Sequence, residues 1–204
     1  MNAVRGIKGY SEAFERFCET TLSLPFTAVC KDFLLWLPRS PAKVLDVGSG
    51  IGQNAAALAE MGYNVTAIEP LGDFLEAARM RFAKNGVSWI QDSMPLLESI
   101  IEEHCFDFIL VEGVWHHLNV NERLESLKRF RILLKEGGHC AISLRSGPAG
   151  AGKHLFPTDL GETIDQGAKN GFDCVFAKSG QPSILPNKTE VTWARVILHK
   201  KPDK

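Results

Sequence analysis

Val44-Leu45-Asp46-Val47-Gly48-Ser49-Gly50-Ile51-Gly52 is the stretch on which the reading of this chain turns. Val44 to Val47 reads as a short buried strand. Glycines at alternate positions then let the backbone leave that strand sharply and let a ligand come close to it. Several nucleotide-binding folds use such a turn, so its details must discriminate. The dinucleotide fingerprint needs its third glycine where Gln53 stands, and no Lys-Ser/Thr pair follows, so neither that fingerprint nor a P-loop is met. Asp46 narrows the choice. A carboxylate at the strand's end repels a pyrophosphate at short range but suits a ligand carrying an ammonium and a sulfonium. It can also brace the turn through backbone hydrogen bonds.

Outward from this turn, apolar runs alternate with helical patterns. The expected strands are Val65–Ile68, Val87–Ile90, Phe106–Val111 and His139–Leu144. The expected helices are an alanine-rich one to about Met61, Leu71–Lys84, a short one after Pro95, and Asn119–Leu134. Strict alternation implies a parallel sheet with helices on both faces. Near the C-terminus, Thr158–Lys169 reads as a helix. Phe172–Ala177 and Val191–His199, with no helix between them, should pair as an antiparallel hairpin. Ahead of the sheet, Tyr10 to Leu37 carries apolar residues at helical spacing interrupted by Pro25, which predicts two helices packed as a cap. Residues 1–41 are accordingly read as a helical cap and 42–204 as one globular unit. Ligands of such sheets sit beyond the carboxyl ends of the strands, so the loops opening at Gly48, Glu69, Gln91, Glu112 and Arg145 are the ones to inspect.

Composition excludes several alternatives. A chain of 204 residues with 45% hydrophobic content fills one core, and a net charge of -1 without long charge blocks argues against a nucleic-acid partner. No apolar run reaches the roughly 20 residues of a membrane span. Met1 to Gly9 lacks the apolar centre of a secretory signal, which makes the cytoplasm the expected compartment. The cysteines at 18, 30, 105, 140 and 174 are too widely spaced for a structural zinc site and are expected to be reduced and mostly buried. No metal is expected.

Further acids follow in order. Glu69 ends the second strand, where a carboxylate can accept both hydroxyls of a ribose, or can simply be a solvated acid before Pro70. Asp92, with Ser93 beside it, can accept from an adenine amino group or form a turn ahead of Pro95. The glycine segment resembles the nucleotide-binding motif of class I S-adenosylmethionine-dependent methyltransferases. Ala67-Ile68-Glu69-Pro70 resembles that family's ribose-binding segment, and Ile90-Gln91-Asp92-Ser93 its adenine-contacting segment. Phe106 to Val111 resembles its fourth strand, and Leu133 to His139 the turn before its fifth. The resemblance implies a Rossmann-like three-layer α/β sandwich whose seven-stranded sheet is parallel except for its last strand. It implies S-adenosylmethionine as cofactor, held by Asp46, Gly48, Gly50, Gly52, Glu69, Pro70, Asp92, Ser93 and Glu112.

Glu112-Gly113-Val114-Trp115-His116-His117-Leu118 lacks the Asn/Asp-Pro-Pro-aromatic sequence of amino-methylating members and the Pro-Cys of cytosine enzymes. Its apolar-His-His-Leu pattern resembles small-molecule methyltransferases. His116 or His117 can serve as general base, which predicts loss of activity below pH 6 to 7. Alternatively His117 packs under the loop and bonds backbone groups left free there. Arg145 can fix a carboxylate or phosphate of the acceptor, or form a surface ion pair. Trp115 and Tyr10 are further candidates for acceptor contact, with Tyr10, Phe14 and Phe17 closing the pocket from the cap or packing as core. Gly147 to Lys153, rich in Gly and Ala, reads as a mobile lid. The expected activity is methyl transfer to a small molecule, and the alternative is a cofactor-binding scaffold or sensor without turnover. The oligomeric state is left open.

Overall fold

The computed structural model describes residues 7–202. Most of the stretch read as lacking a signal lies outside them, as do the outer ends of segments 1–41 and 42–204. Strands β1 (Lys43–Val47), β2 (Asn64–Ile68), β3 (Ser88–Ile90), β4 (Phe106–Val111), β5 (Leu134–Ser146), β6 (Phe172–Pro182) and β7 (Thr192–Lys200) form one sheet ordered β3-β2-β1-β4-β5-β7-β6. Neighbours from β3 through β5 are parallel. β7 is antiparallel to both β5 and β6. The seven-stranded sheet with only its last strand reversed is therefore present. Strand order reverses between β1 and β4, and the crevice beyond their carboxyl ends is where a ligand fits.

Helices α1 (Phe14–Leu22), α2 (Phe26–Val29), α3 (Gln53–Glu60), α4 (Gly72–Arg81), α5 (Val120–Leu133) and α6 (Leu160–Lys169) complete the fold. Why three layers form is visible in the register. Leu45 pairs with Ile109 and Val44 with Phe108, and successive strand side chains point to opposite faces. Leu45, Val47, Ile109 and Val111 thus join Leu127, Phe130 and Leu133 of α5 in one core. Val44, Phe108 and Leu110 join Ala55 and Leu58 of α3, with Phe26 and Phe33, in the other. Each large side chain so buried contributes about 1.5–3 kcal/mol by removing apolar area from water. The start of α5 is set by Asn119, whose side chain accepts from the N–H groups of Asn121 and Glu122 while Glu122 accepts from Asn119 N–H.

Several expectations on local structure need correction. No helix forms in the segment between Pro95 and β4. Leu97 sits at φ 49°, and Asp92 accepts the Ser99 N–H, so a side chain takes a donor that a helix would use. β5 starts at Leu134 rather than His139, through an irregularity in which Gly137 adopts φ 73°. β6 runs on to Pro182 past two register shifts, which shortens the loop before β7. Between Tyr10 and Leu37 the two expected helices form, but each is short and flanked by 3-10 turns at Ser11–Ala13 and Leu34–Trp36. The segment is also less of an appendage than a cap implies, because Phe26, Cys30 and Phe33 are part of the second core.

Candidate active site

Strand β1 delivers the chain to a turn tied to its neighbour: Gly48 and Ser49 N–H both donate to Ile68 O, at 2.8 and 2.9 Å. Gly48 holds φ 71°, and a Cβ there would lie 2.6 Å from Val114 Cγ2. Only glycine fits between this turn and the loop after β4. Glu69, at the exit of β2, clasps the same turn. Its Oε2 accepts from Gly50 N–H and its Oε1 from Leu71 N–H, each at 2.9 Å. Burial raises its carboxyl to about 7, against the pull of those two donors. It is 5% exposed, so the solvated-acid reading does not hold.

Asp46 lies under the turn and does not line the cleft. Burial raises its carboxyl to about 7, with Glu112 and Glu69 adding repulsion, and its Oδ2 has no hydrogen-bond partner. Glu112 is raised in the same direction by burial, opposed by Arg195, and its Oε2 is likewise unpartnered. Asp92 accepts from Ser93 and Ser99 N–H at 2.7 Å each, so it does form its turn, yet it also lines the cleft.

The cleft is a cavity of about 770 Å³, within the roughly 300–1,000 Å³ usual for ligand sites. Gly48, Gly50, Glu69, Pro70, Asp92, Ser93 and Glu112 all line it, so most of the expected cofactor set is gathered in one place. Gly52 is not there. A Cβ on it would meet Trp89 Cη2 at 2.4 Å and Ala78 Cβ at 3.0 Å, so this glycine serves close packing where α3 begins. Unpartnered buried atoms at the cleft include Ser49 Oγ, Gln53 Oε1, Asn54 Oδ1 and Glu112 Oε2. The amide and carboxylate oxygens among them are acceptors, whereas Arg195 Nε and Nη1 are unpartnered donors on the same cavity, and a buried acceptor without a donor is costly until something supplies one. The residues therefore fit a ligand bearing an ammonium, a sulfonium and ribose hydroxyls.

Across the cleft stand Tyr10, His116, His117 and Arg145. Both imidazoles are buried. Desolvation lowers His116 well below 6.5 and His117 to about 4. Tyr10, pushed up to about 12 by burial, keeps its proton and stands 2.8 Å from His117 Nε2. His117 thus meets a phenol at Nε2, and the backbone of His154 favours its protonated form against burial, in keeping with the expected backbone contact. The neutral imidazoles also mean that protonation does not set in between pH 6 and 7. Trp115 is misplaced as an acceptor contact: it is fully buried, packs against Phe130 and reaches Thr163 Oγ1 through Nε1 at 3.3 Å. With Arg123 Nε donating to its carbonyl, it fixes the histidine turn from below. Arg145 lies inside β5, paired with Trp193, and among the described residues no surface ion pair forms; NH2 donates to Pro148 O and NH1 to Gly147 O. The Gly147–Lys153 segment contacts the cap through Lys153 N–H to Lys8 O and Lys153 to Glu12.

Sequence reading missed Arg16, Lys188, Trp193 and Arg195, all of which line the cleft. Trp193 and Arg195 stand two apart on β7, and a period of two in large polar or aromatic residues on a strand was a usable signal.

Residues 45–142 match the family described as "Methyltransferase domain". A protein-L-isoaspartate O-methyltransferase of Chlorobium phaeobacteroides is 39% identical over 92 residues, 45% of this chain and 42% of that one. A ubiquinone biosynthesis O-methyltransferase of Rickettsia prowazekii is 34% identical over 107 residues, 51% of this chain and 40% of that one. The chain therefore spans less than half the length of these two curated relatives. Among solved structures, Burkholderia thailandensis 1,6-didemethyltoxoflavin-N1-methyltransferase, with bound 1,6-didemethyltoxoflavin and S-adenosylhomocysteine, shares the fold at a TM-score of 0.71. That match has 20% identity and covers 96% of this chain and 85% of that one.

Proposed function

This chain belongs to the class I S-adenosylmethionine-dependent methyltransferase family, and from that premise we propose that it transfers a methyl group to a small-molecule acceptor in the cytoplasm. The observation that carries the reading is the set of buried carboxylates at the strand-order reversal, two of them with an oxygen that has no donor. S-adenosylmethionine, when bound, supplies an activated methyl on sulfur. In this reading Glu69 and Asp92 accept from ribose hydroxyls and the adenine amino group, the Gly48–Gly50 backbone gives close approach, and Glu112 faces the cationic end. Asp46 acts from beneath, through its charge.

The protein's remaining task is alignment and exclusion of water. The aromatic residues ahead of the sheet support this: Tyr10 stacks edge-on against Phe17 and Phe74, and a Cβ on Gly50 would meet Phe17 at 3.4 Å. A mouth roofed in this way favours a small acceptor over a folded protein. His116 and His117, neutral at physiological pH, are in the protonation state that a general base requires, and Tyr10 orients His117. The test is incubation with methyl-labelled cofactor and a fractionated metabolite extract. Label in a small molecule supports the reading. Cofactor bound with label reaching no acceptor would leave the binding-only alternative.

A further inference from the structure

Charge is distributed unevenly around the cavity. Glu69, Asp92 and Glu112 belong to the wall built by β2, β3 and β4, whereas Arg16 of α1, Arg145 of β5 and Lys188 of the β6–β7 connection belong to the opposite set of elements. Other cations at the rim are neutralised. Lys153 meets Glu12 at 2.5 Å, and Arg195 lies 3.8 Å from Glu112 and 4.0 Å from Asp32. Among the described residues, no carboxylate comes within 4.0 Å of Arg16, Arg145 or Lys188.

Lys188 feels the charges of the other two. Burial, then the charges of Arg145 and Arg16, hold the Lys188 ammonium below its ordinary range. Arg145 is 7% exposed, and its two carbonyl partners aim the guanidinium without neutralising it. Like charges converging on a partly dry wall are unfavourable until an anion joins them. Gly150 runs past this spot, with Lys188 Nζ 3.6 Å from where a Cβ would be, so the loop leaves the ammonium room. Trp193 adds a flat apolar surface nearby, edge-on to His116 with ring centroids 6.1 Å apart.

We infer that the acceptor is an anion whose carboxylate or phosphate is bound by Arg145, Lys188 and Arg16, an inference that rests on the methyl-transfer reading for calling that ligand the acceptor. The acceptor's anionic group then faces the cationic side of the cavity while the cofactor's sulfonium and ammonium face the acidic side, which helps to orient both.

The experiment follows thermal melting of the protein, alone and loaded with S-adenosylhomocysteine, against inorganic phosphate and against benzoate. Sodium chloride at matched ionic strength is the control. At least one anion should raise the melting temperature saturably where chloride does not, and whichever does so tells phosphate from carboxylate. Lys188→Gln and Arg16→Gln, both away from the cores, should each raise the half-saturating concentration about tenfold, as expected for loss of one charge-assisted contact. Affinity for S-adenosylhomocysteine should be unchanged in both. A response equal to that of chloride, or the same in wild type and variants, overturns the inference. Failure of S-adenosylhomocysteine to bind while the anion response persists would sink the methyl-transfer reading alone and leave the anion site standing.

Discussion

Two backbone donors, Gly50 and Leu71 N–H, end on the Glu69 carboxylate, so this residue supports the glycine turn as well as facing the cleft. Glu69→Ala strands both donors, at about 1–3 kcal/mol each, and removes the acceptor proposed for the ribose. The expected outcome is a lower melting temperature together with at least about tenfold weaker binding of S-adenosylhomocysteine. Loss of stability with unchanged affinity would assign Glu69 to the turn alone. The same carboxylate shapes the pH response. Burial raises the Asp46 and Glu69 carboxyls to about 7, and a cationic ligand favours their ionised forms. Below that pH their protons must leave before the cation is accommodated. Affinity should therefore fall on acidification, by up to about tenfold per group per pH unit. The imidazoles predict the opposite insensitivity. His117 titrates near 4 and His116 is also lowered, so turnover at saturating cofactor should hold level from pH 8 to 6. A turnover limb near 6.5 would contradict buried, neutral histidines.

Among the elements, α3 and α5 owe their starting points to specific side-chain facts. Gly52 opens α3 at φ 87° with Trp89 pressed against it. Gly52→Ala combines a disfavoured backbone with overpacking and should cost about 1–3 kcal/mol, read by denaturant unfolding. Asn119→Ala removes the cap of α5 and should cost about 1 kcal/mol, with cofactor affinity unaffected. A cost near zero would show that Glu122 and backbone alone hold that end. Elements of this kind were legible because their signals are local: strand, glycine turn and helix follow one another within a few residues. The helix expected after Pro95 failed for a non-local reason. Arg129 of α5 donates to the carbonyls of Leu97 and Ile100, and Asp92 takes the Ser99 N–H, so groups a helix would pair internally are satisfied from outside. The extra length of β5 likewise depends on Leu134 finding Phe106 across the sheet, a pairing that periodicity cannot show.

At the scale of the whole molecule, the acidic side of the cavity was largely readable, because each contributing loop follows a recognisable strand. The other side was not. Arg16, Lys188 and Trp193 reach the cavity from the cap, a loop and the last strand, which only the folded sheet brings together. Trp115 was misassigned for a related reason: its neighbours His116 and His117 line the cleft, but the tight 3-10 turn sends the indole the other way, into the core beside Phe130. The acid-lined end of this cavity is the proposed binding place of S-adenosylmethionine and its demethylated product. Calorimetric titration of the unmodified protein with S-adenosylhomocysteine at pH 8 and pH 6 tests it most directly. The expected result is a single site with a micromolar dissociation constant at pH 8 and weaker binding at pH 6. Absence of heat and of thermal stabilisation at both pH values would contradict it.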